Sequence, residues 1–368
     1  MKRAINCLSL SERQVILLGF LAIFLTFLFA FCLGFPSAGS LGLFANWEHW
    51  DALHYLEIAK DSYQNFGEER FNIAFFPLYP FFIFLLHFLF RDYLFSALFV
   101  SNLCFLLSLY FLYKLLEKDF DKKTAWRAVV FLVAFPTAYF LHAPYTESLF
   151  LALSLASFYF LRRRCWFLAA LLGMFAGLCR LTGFLLIPIF FIEYLDARQF
   201  HFRKIKKDIL WGIMMFLAPA IYLFLNFKIF GNPLYFLFVQ RNHWYKDLNW
   251  PWLGFWQALA SFSYRPTLEY LMVGVFETLF ALILLLTIFG GLCKLPRSYL
   301  VYLILNLLLV TSSSFWLSIP RYVLVAFPMF VVLALWAKRR LVFFSLLFLS
   351  LSMQFFFLNF FLRGYWAF

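Results

Sequence analysis

Residues 93–116 read YLFSALFVSNLCFLLSLYFLYKLL, with Lys114 as the only charged side chain. A helical membrane span needs about 20 mainly apolar residues, and this stretch supplies them. Comparable runs lie at 15–35, 124–142, 146–161, 166–180, 182–196 and 209–230, and again at 268–293, 298–317, 320–337 and 341–362. The reading is an all-α polytopic membrane protein with about 11 transmembrane helices.

Composition agrees with these runs. Hydrophobic residues make up 65% of the 368 positions and charged ones 13%. Soluble domains run nearer 45–50% and about 25%. Mean hydropathy is +0.84. An ordinary globular domain, a disordered chain and a disulfide scaffold are all excluded. The six cysteines (Cys7, Cys32, Cys104, Cys165, Cys179 and Cys293) show no CxxC spacing. The net charge of +13 is assigned to cytoplasmic loops by the positive-inside rule and not to a nucleic-acid partner.

Topology turns on 78–90. That run starts with Pro77 and Pro80 and holds about a dozen apolar residues, too few for a full span. It is read as an interfacial or re-entrant helix on the outer side. The basic clusters at 114–127, 162–164, 198–207, 294–297 and 338–340 then all fall inside with Lys2, Arg3 and Arg13, which makes 21 of the 31 Lys and Arg residues. If 78–90 crossed, every later loop would flip against that bias. The run 15–35 is longer than a signal-peptide core, so it is read as an anchored first span despite the small Ser37-Ala38-Gly39. The chain reads as one integral membrane domain, 1–368. Its parts are a core module over 1–230 with a first outer loop at 36–92, a second outer loop at 231–267, and C-terminal helices over 268–368. No internal repeat or low-complexity linker is visible.

Residues with chemical potential cluster in the outer segments. Trp47-Glu48-His49-Trp50-Asp51-Ala52-Leu53-His54-Tyr55 is the densest group. Trp47 and Trp50 read as interface anchors. If 46–60 is helical, Asp51, His54, Tyr55 and Ile58 share one face. Glu48, His49, Asp51 and His54 lack HExxH order or any other known metal spacing, so no metal and no cofactor is expected. Pro77 and Pro80 make a rigid turn that delivers Tyr79 to the same surface. Tyr145-Thr146-Glu147-Ser148 puts a carboxylate at a helix mouth, where the helix dipole favours it. Arg180 and Arg321 sit at outer membrane level, and guanidinium suits phosphate. Glu277 lies inside a span and calls for a neighbouring charge. Asp119-Phe120-Asp121 matches a DxD motif, but in a short inner loop with no fold around it. There is no GxG anywhere, which removes dinucleotide and P-loop readings.

Taken together, these motifs resemble the GPI mannosyltransferase II (PIG-V) family and its bacterial relatives, a branch of the GT-C membrane glycosyltransferases. The resemblance rests on WDALHYLEIA at 50–59, AFFPLYP at 74–80, PTAYFLHAPYTESLF at 136–150, RLTGFL at 180–185 and IPRYVLVAFP at 319–328. GNPLYFLFVQRNHW at 231–244 is a weaker piece. The order matches along nearly the whole chain. Asp61-Ser62-Tyr63 departs from it, since the family more often has Gly before the Tyr.

The resemblance implies a GT-C-type fold and inverting transfer of a hexose, mannose first, from a polyprenyl-phosphate donor. The acceptor would be a glycan, glycolipid or protein, with membrane lipid around the site and a partner subunit left open. It matches Asp51 to the family's catalytic carboxylate, expected here as the base, and matches Tyr145, Glu147, Arg321 and Tyr322; together with His54, Tyr55, Tyr79 and Arg180 from the residue reading, these are expected to bind substrate. The site would face outward, from the plasma or inner membrane in a bacterium or the ER membrane in a eukaryote.

Two rivals remain. A lipid or lipid-linked-sugar transporter without transferase activity would carry midplane charges and often inverted repeats. A non-catalytic subunit that only binds the lipid-linked sugar would keep the arginines and have no need of Asp51.

Overall fold

The computed structural model describes residues 9–33 and 42–368, and within them the regular secondary structure is helical apart from one isolated bridge between Leu248 and Ser313. Lys2, Arg3 and the small triplet 37–39 lie outside the described residues. The helices that matter below are α1 (Leu10–Cys32), α2 (Asp51–Asp61), α3 (Leu78–Phe90), α4 (Tyr93–Asp119), α5 (Lys122–Val133), α6 (Glu147–Arg162) and α7 (Trp166–Cys179). They continue as α8 (Leu186–Asp196), α9 (Leu217–Phe230), α10 (Glu277–Gly291), α11 (Arg297–Thr311), α12 (Ile319–Leu324), α13 (Pro328–Trp336) and α14 (Arg340–Leu362).

Local chemistry sets several boundaries. Ser9 and Glu12 form a reciprocal capping box at the start of α1. Asp92 accepts the Phe95 N–H at 2.6 Å to open α4. Asp121 accepts the N–H groups of Lys123 and Thr124 at 2.8 and 3.0 Å to open α5.

Among the described residues, five helices are long and apolar enough to cross a membrane: Ser11–Cys32, Tyr93–Asp119, Lys207–Phe230, Thr267–Gly291 and Arg340–Leu362. Helix α3 and the 3-10 turn Glu68–Ala74 form a further apolar pair bent by 112°, a geometry shared by broken spans and re-entrant loops. Other expected spans are shorter as helices. The run 124–142 is α-helical only to Val133 and resumes as a short 3-10 turn at Ala138–Leu141, because Pro136 lacks an N–H and restricts the residue before it. The run 320–337 breaks into α12 and α13, with Pro328 at the first position of the second helix.

The core is built on α4. It packs against α1, α3, α5 and α6, and α6 packs in turn against α7. Small side chains on the buried faces, Ser154, Ala156 and Ser157 on α6 and Ala169, Ala170, Gly173 and Ala176 on α7, allow close approach of the two. Lys114 of α4 pairs with Glu12 of α1 at 2.7 Å.

Candidate active site

Helix α2 starts at Asp51, not at 46. Trp50 has φ of 54°, a left-handed conformation that ends any helical run through it and is costly for a residue with a Cβ. Asp51 therefore occupies the first turn, where the helix dipole favours a carboxylate. His54 and Tyr55 follow one turn later on its face. Trp47 is not at the interface: it is fully buried, against Phe27 and Phe361. Trp50 is exposed and meets Trp366 edge to face.

Four segments far apart in sequence meet at this helix end. An Arg321 Nη2 lies 2.7 Å from Asp51 Oδ2. The same guanidinium places Nε 3.1 Å from Glu147 Oε1. Arg180 Nη1 donates to that Glu147 oxygen and, at 2.9 Å, to Thr146 Oγ1. The result is an alternating chain, Asp51–Arg321–Glu147–Arg180. Glu147 is fully buried and both arginines are 8% exposed. The Asp51 side chain keeps 24% of its surface open, so it is the open end of the chain.

Burial alone would raise the Asp51 carboxyl. The Arg321 charge and hydrogen bond outweigh burial, and the group is held below the usual carboxylate value. Asp51 is therefore ionised at neutral pH.

Tyr322 stands in the middle of a cationic group. Its ring centroid lies 5.3 Å from the Arg180 guanidinium, 5.8 Å from that of Arg321 and 5.9 Å from Lys246 Nζ. Lys246 arrives on the second polar stretch. That stretch is pinned by Trp244, edge-on to His54 and Phe75 at 5.7 and 6.0 Å, and by His243, stacked 3.7 Å from Phe71. Backbone bonds from Asn249 to Ser312 and from Ser314 to Asp247 tie the following segment down. Three cations thus gather around Tyr322, two of them held by the Asp51 and Glu147 carboxylates.

The remaining expected residues divide. The Tyr55 hydroxyl reaches Thr146 Oγ1 at 3.4 Å, within the cluster. His54 bonds Asn72 Oδ1 through Nδ1 at 2.8 Å and stacks on Phe75 beside the cluster. Tyr145 donates to the His49 carbonyl at 2.8 Å, while its ring lies 5.4 Å from the Arg321 guanidinium. Tyr79 is turned away, its hydroxyl held by the Ala97 carbonyl at 3.0 Å and Ser101 Oγ at 2.8 Å. It touches the site only through its ring, edge-on to Tyr55.

One contributor escaped the sequence reading, and a second was singled out but given the wrong kind of partner. Lys246 lies two residues past the 231–244 motif, and only its position after His243-Trp244 marks it. Glu277 finds backbone donors where a charged partner was sought: its two oxygens accept the N–H groups of Ser318 and Ile319, each at 2.6 Å. It thereby anchors the start of α12, which carries Arg321 one turn along. Both DxD carboxylates are structurally engaged elsewhere. Asp121 caps α5, and Asp119 binds Arg162 at 3.0 Å and the Tyr299 hydroxyl at 2.6 Å. Among the described residues, no group of three His, Cys, Asp or Glu side chains is placed to hold a metal ion.

Residues 76–227 match the family model described as dolichyl-phosphate-mannose-protein mannosyltransferase. The matched stretch contains Tyr79, Tyr145, Glu147 and Arg180, and leaves Asp51, Lys246 and Arg321 outside. The similarity supports a GT-C membrane glycosyltransferase of mannosyltransferase type, and the apolar helices an integral membrane protein. No curated protein matches the chain.

Proposed function

We propose that this protein transfers a hexose, mannose by preference, from a polyprenyl-phosphate donor to an acceptor hydroxyl on the outer or luminal face of the membrane. The observation that carries the reading is the convergence of Asp51, Arg321, Glu147 and Arg180 from four separated segments onto one helix end, with Lys246 of a fifth facing the adjoining Tyr322. The order of the sequence motifs favours the PIG-V-like branch, and the matched family's printed name favours mannose on a dolichyl phosphate.

Each group has a task. The acceptor oxygen attacks the anomeric carbon from the side opposite the phosphate, which inverts that centre. The bond from that carbon to the phosphate oxygen breaks, and its electron pair leaves on the lipid phosphate. The acceptor proton passes to an Asp51 carboxylate oxygen, general-base catalysis by the one partly open acid of the cluster. Arg321, Arg180 and Lys246 stabilise the charge that grows on the phosphate. Glu147 holds both guanidinium groups in place before the donor arrives. A phosphate that draws Arg321 toward itself weakens its hold on Asp51 and raises the basicity of that carboxylate, so donor binding readies the base.

The test uses purified protein in nanodiscs with a membrane extract as acceptor source. Labelled GDP-mannose and labelled polyprenyl-phosphate mannose are offered separately. Transfer only from the lipid-linked sugar is the expected result. Transfer from GDP-mannose with no polyprenyl-phosphate synthase activity present overturns the proposal.

A further inference from the structure

A second charged feature lies at the far end of the same helices. Helix α6 begins at Glu147 in the site and ends at Arg162, about 22 Å away at 1.5 Å per residue. Helix α7 runs back from Trp166 to Cys179, next to Arg180. At the far end an open cleft of about 880 Å³ is lined by Lys118, Arg162, Arg163, Arg164, Glu193 and Asp196 among others.

The charges in this cleft do not cancel. Arg162 is shared by Asp119 at 3.0 Å and Glu193 at 2.7 Å. Asp196 is taken by Arg297 at 2.6 Å. These pairs use up both lining carboxylates. Lys118 bonds only a backbone carbonyl, that of Arg162, and the Arg163 guanidinium lies over the neutral Tyr159 ring at 4.6 Å. Neither they nor Arg164 has a carboxylate within ion-pair distance among the described residues. Two and three residues after the lining Cys165, Phe167 and Leu168 are exposed on α7 although strongly apolar.

We infer that this cleft is a binding site for the phosphodiester headgroup of an anionic phospholipid, held by Lys118, Arg163 and Arg164 with its acyl chains against Phe167 and Leu168. Basic recesses between membrane helices are suited to such headgroups, and guanidinium to their phosphate oxygens. Inorganic phosphate shares the anionic chemistry. The exposed apolar pair that follows the cations along the chain favours the lipid, because a free ion has no use for it. The inference does not rest on the proposed transfer reaction, and its readout is binding, so the two can fail separately.

The experiment measures thermal unfolding of the full chain in neutral detergent during titration with phosphatidylglycerol or phosphatidylcholine. A saturable rise in the midpoint with phosphatidylglycerol alone is expected. The double variant Arg163→Gln/Arg164→Gln should need at least tenfold more lipid for the same rise. Lys338→Gln/Arg339→Gln, which removes equal charge outside the cleft, should behave as the parent. Equal responses to the two lipids, or equal losses in the two double variants, would reduce the effect to bulk charge and overturn the site. Millimolar inorganic phosphate that abolishes the lipid response would identify a soluble anion as the occupant and overturn the lipid assignment. Should the cleft variant fail to fold, one retained phosphatidylglycerol per protein in native mass spectrometry of the parent, with Cys165 shielded from alkylation only in that lipid, supports the same site. Absence of both overturns it.

Discussion

Asp51 is both the proposed base and one end of an ion chain, and these roles make opposite demands. A strong base wants a raised pKa, yet Arg321 holds this carboxyl low. The pH dependence follows from the sign. A depressed carboxyl stays ionised above its own pKa and is lost as a base only when pH falls through that value. In the parent enzyme the acid limb of kcat/KM should therefore lie below the ordinary aspartate value of about 3.9. In Arg321→Gln the opposing charge is gone, burial prevails, and the limb should move upward. A limb that does not move separates Asp51 from the rate. Asp51→Asn keeps the shape and removes the basicity, so turnover should fall by roughly 10²–10⁴-fold, the usual worth of a general base, with normal membrane insertion. Near-normal turnover in a folded variant removes Asp51 from the mechanism. Arg321→Lys should also impair donor use, because an ammonium cannot span Asp51 and Glu147 as the guanidinium fork does.

At the scale of elements, the site depends on how short segments are held. Arg180 follows α7 because the chain turns tightly at Gly183, where an added Cβ would sit 2.2 Å from the Ala176 carbonyl oxygen. That neighbour is backbone and cannot rotate away, so Gly183→Ala should cost about 1–3 kcal/mol, measured as a lowered unfolding midpoint, and should displace Arg180. Glu277→Gln tests the anchor of α12. The amide offers one oxygen where the carboxylate offered two, so an N–H loses its acceptor and Arg321 loses its fixed position. The expected effect is about a tenfold rise in KM for the donor, or about 1.4 kcal/mol, with a smaller change in kcat. A lower midpoint with unchanged kinetics would make Glu277 structural only. The sequence made part of this legible. Arg180 and Arg321 stood out because charge at membrane level is costly and invites a reason, Asp51 through the dense polar and aromatic group at 47–55, and Glu147 through its place at a helix mouth. Their pairing did not, because ion pairs between residues 33 to 270 positions apart leave no periodic trace. The bond from Glu277 to backbone N–H groups was hidden for another reason: every residue carries that donor, so no residue type advertises it.

For the whole molecule the question is which way the two ends face. Helices α4 and α6 run from the Asp51 cluster toward the basic end and α7 runs back from it, since Ser101 within α4 lies near Tyr145 and Lys118 at its C-terminal end lies near Arg162. The site and the cluster at 162–164 are thus on opposite ends of one packed unit, whatever the number of spans. If the positive-inside rule holds, the basic end is cytoplasmic and Asp51 opens outward. Helix α6 spans 16 residues and rises only about 24 Å, less than the ~30 Å hydrocarbon core. With Arg162 at the inner boundary, Glu147 and Arg180 then sit below the outer one, at a depth that a phosphate on a membrane-embedded tail can reach. Single cysteines in a background stripped of the six native ones decide the orientation. The probes should sit at exposed positions, which excludes the fully buried Ala52. Asn65→Cys and Asn242→Cys are exposed on the two polar stretches, and Arg163→Cys and Lys204→Cys on the basic ones. In intact cells an impermeant maleimide should label the first pair, and the second only after permeabilisation. Labelling of Arg163→Cys from outside would reverse the protein in the membrane, place Asp51 on the cytoplasmic side, and leave an outward-facing transferase without a site.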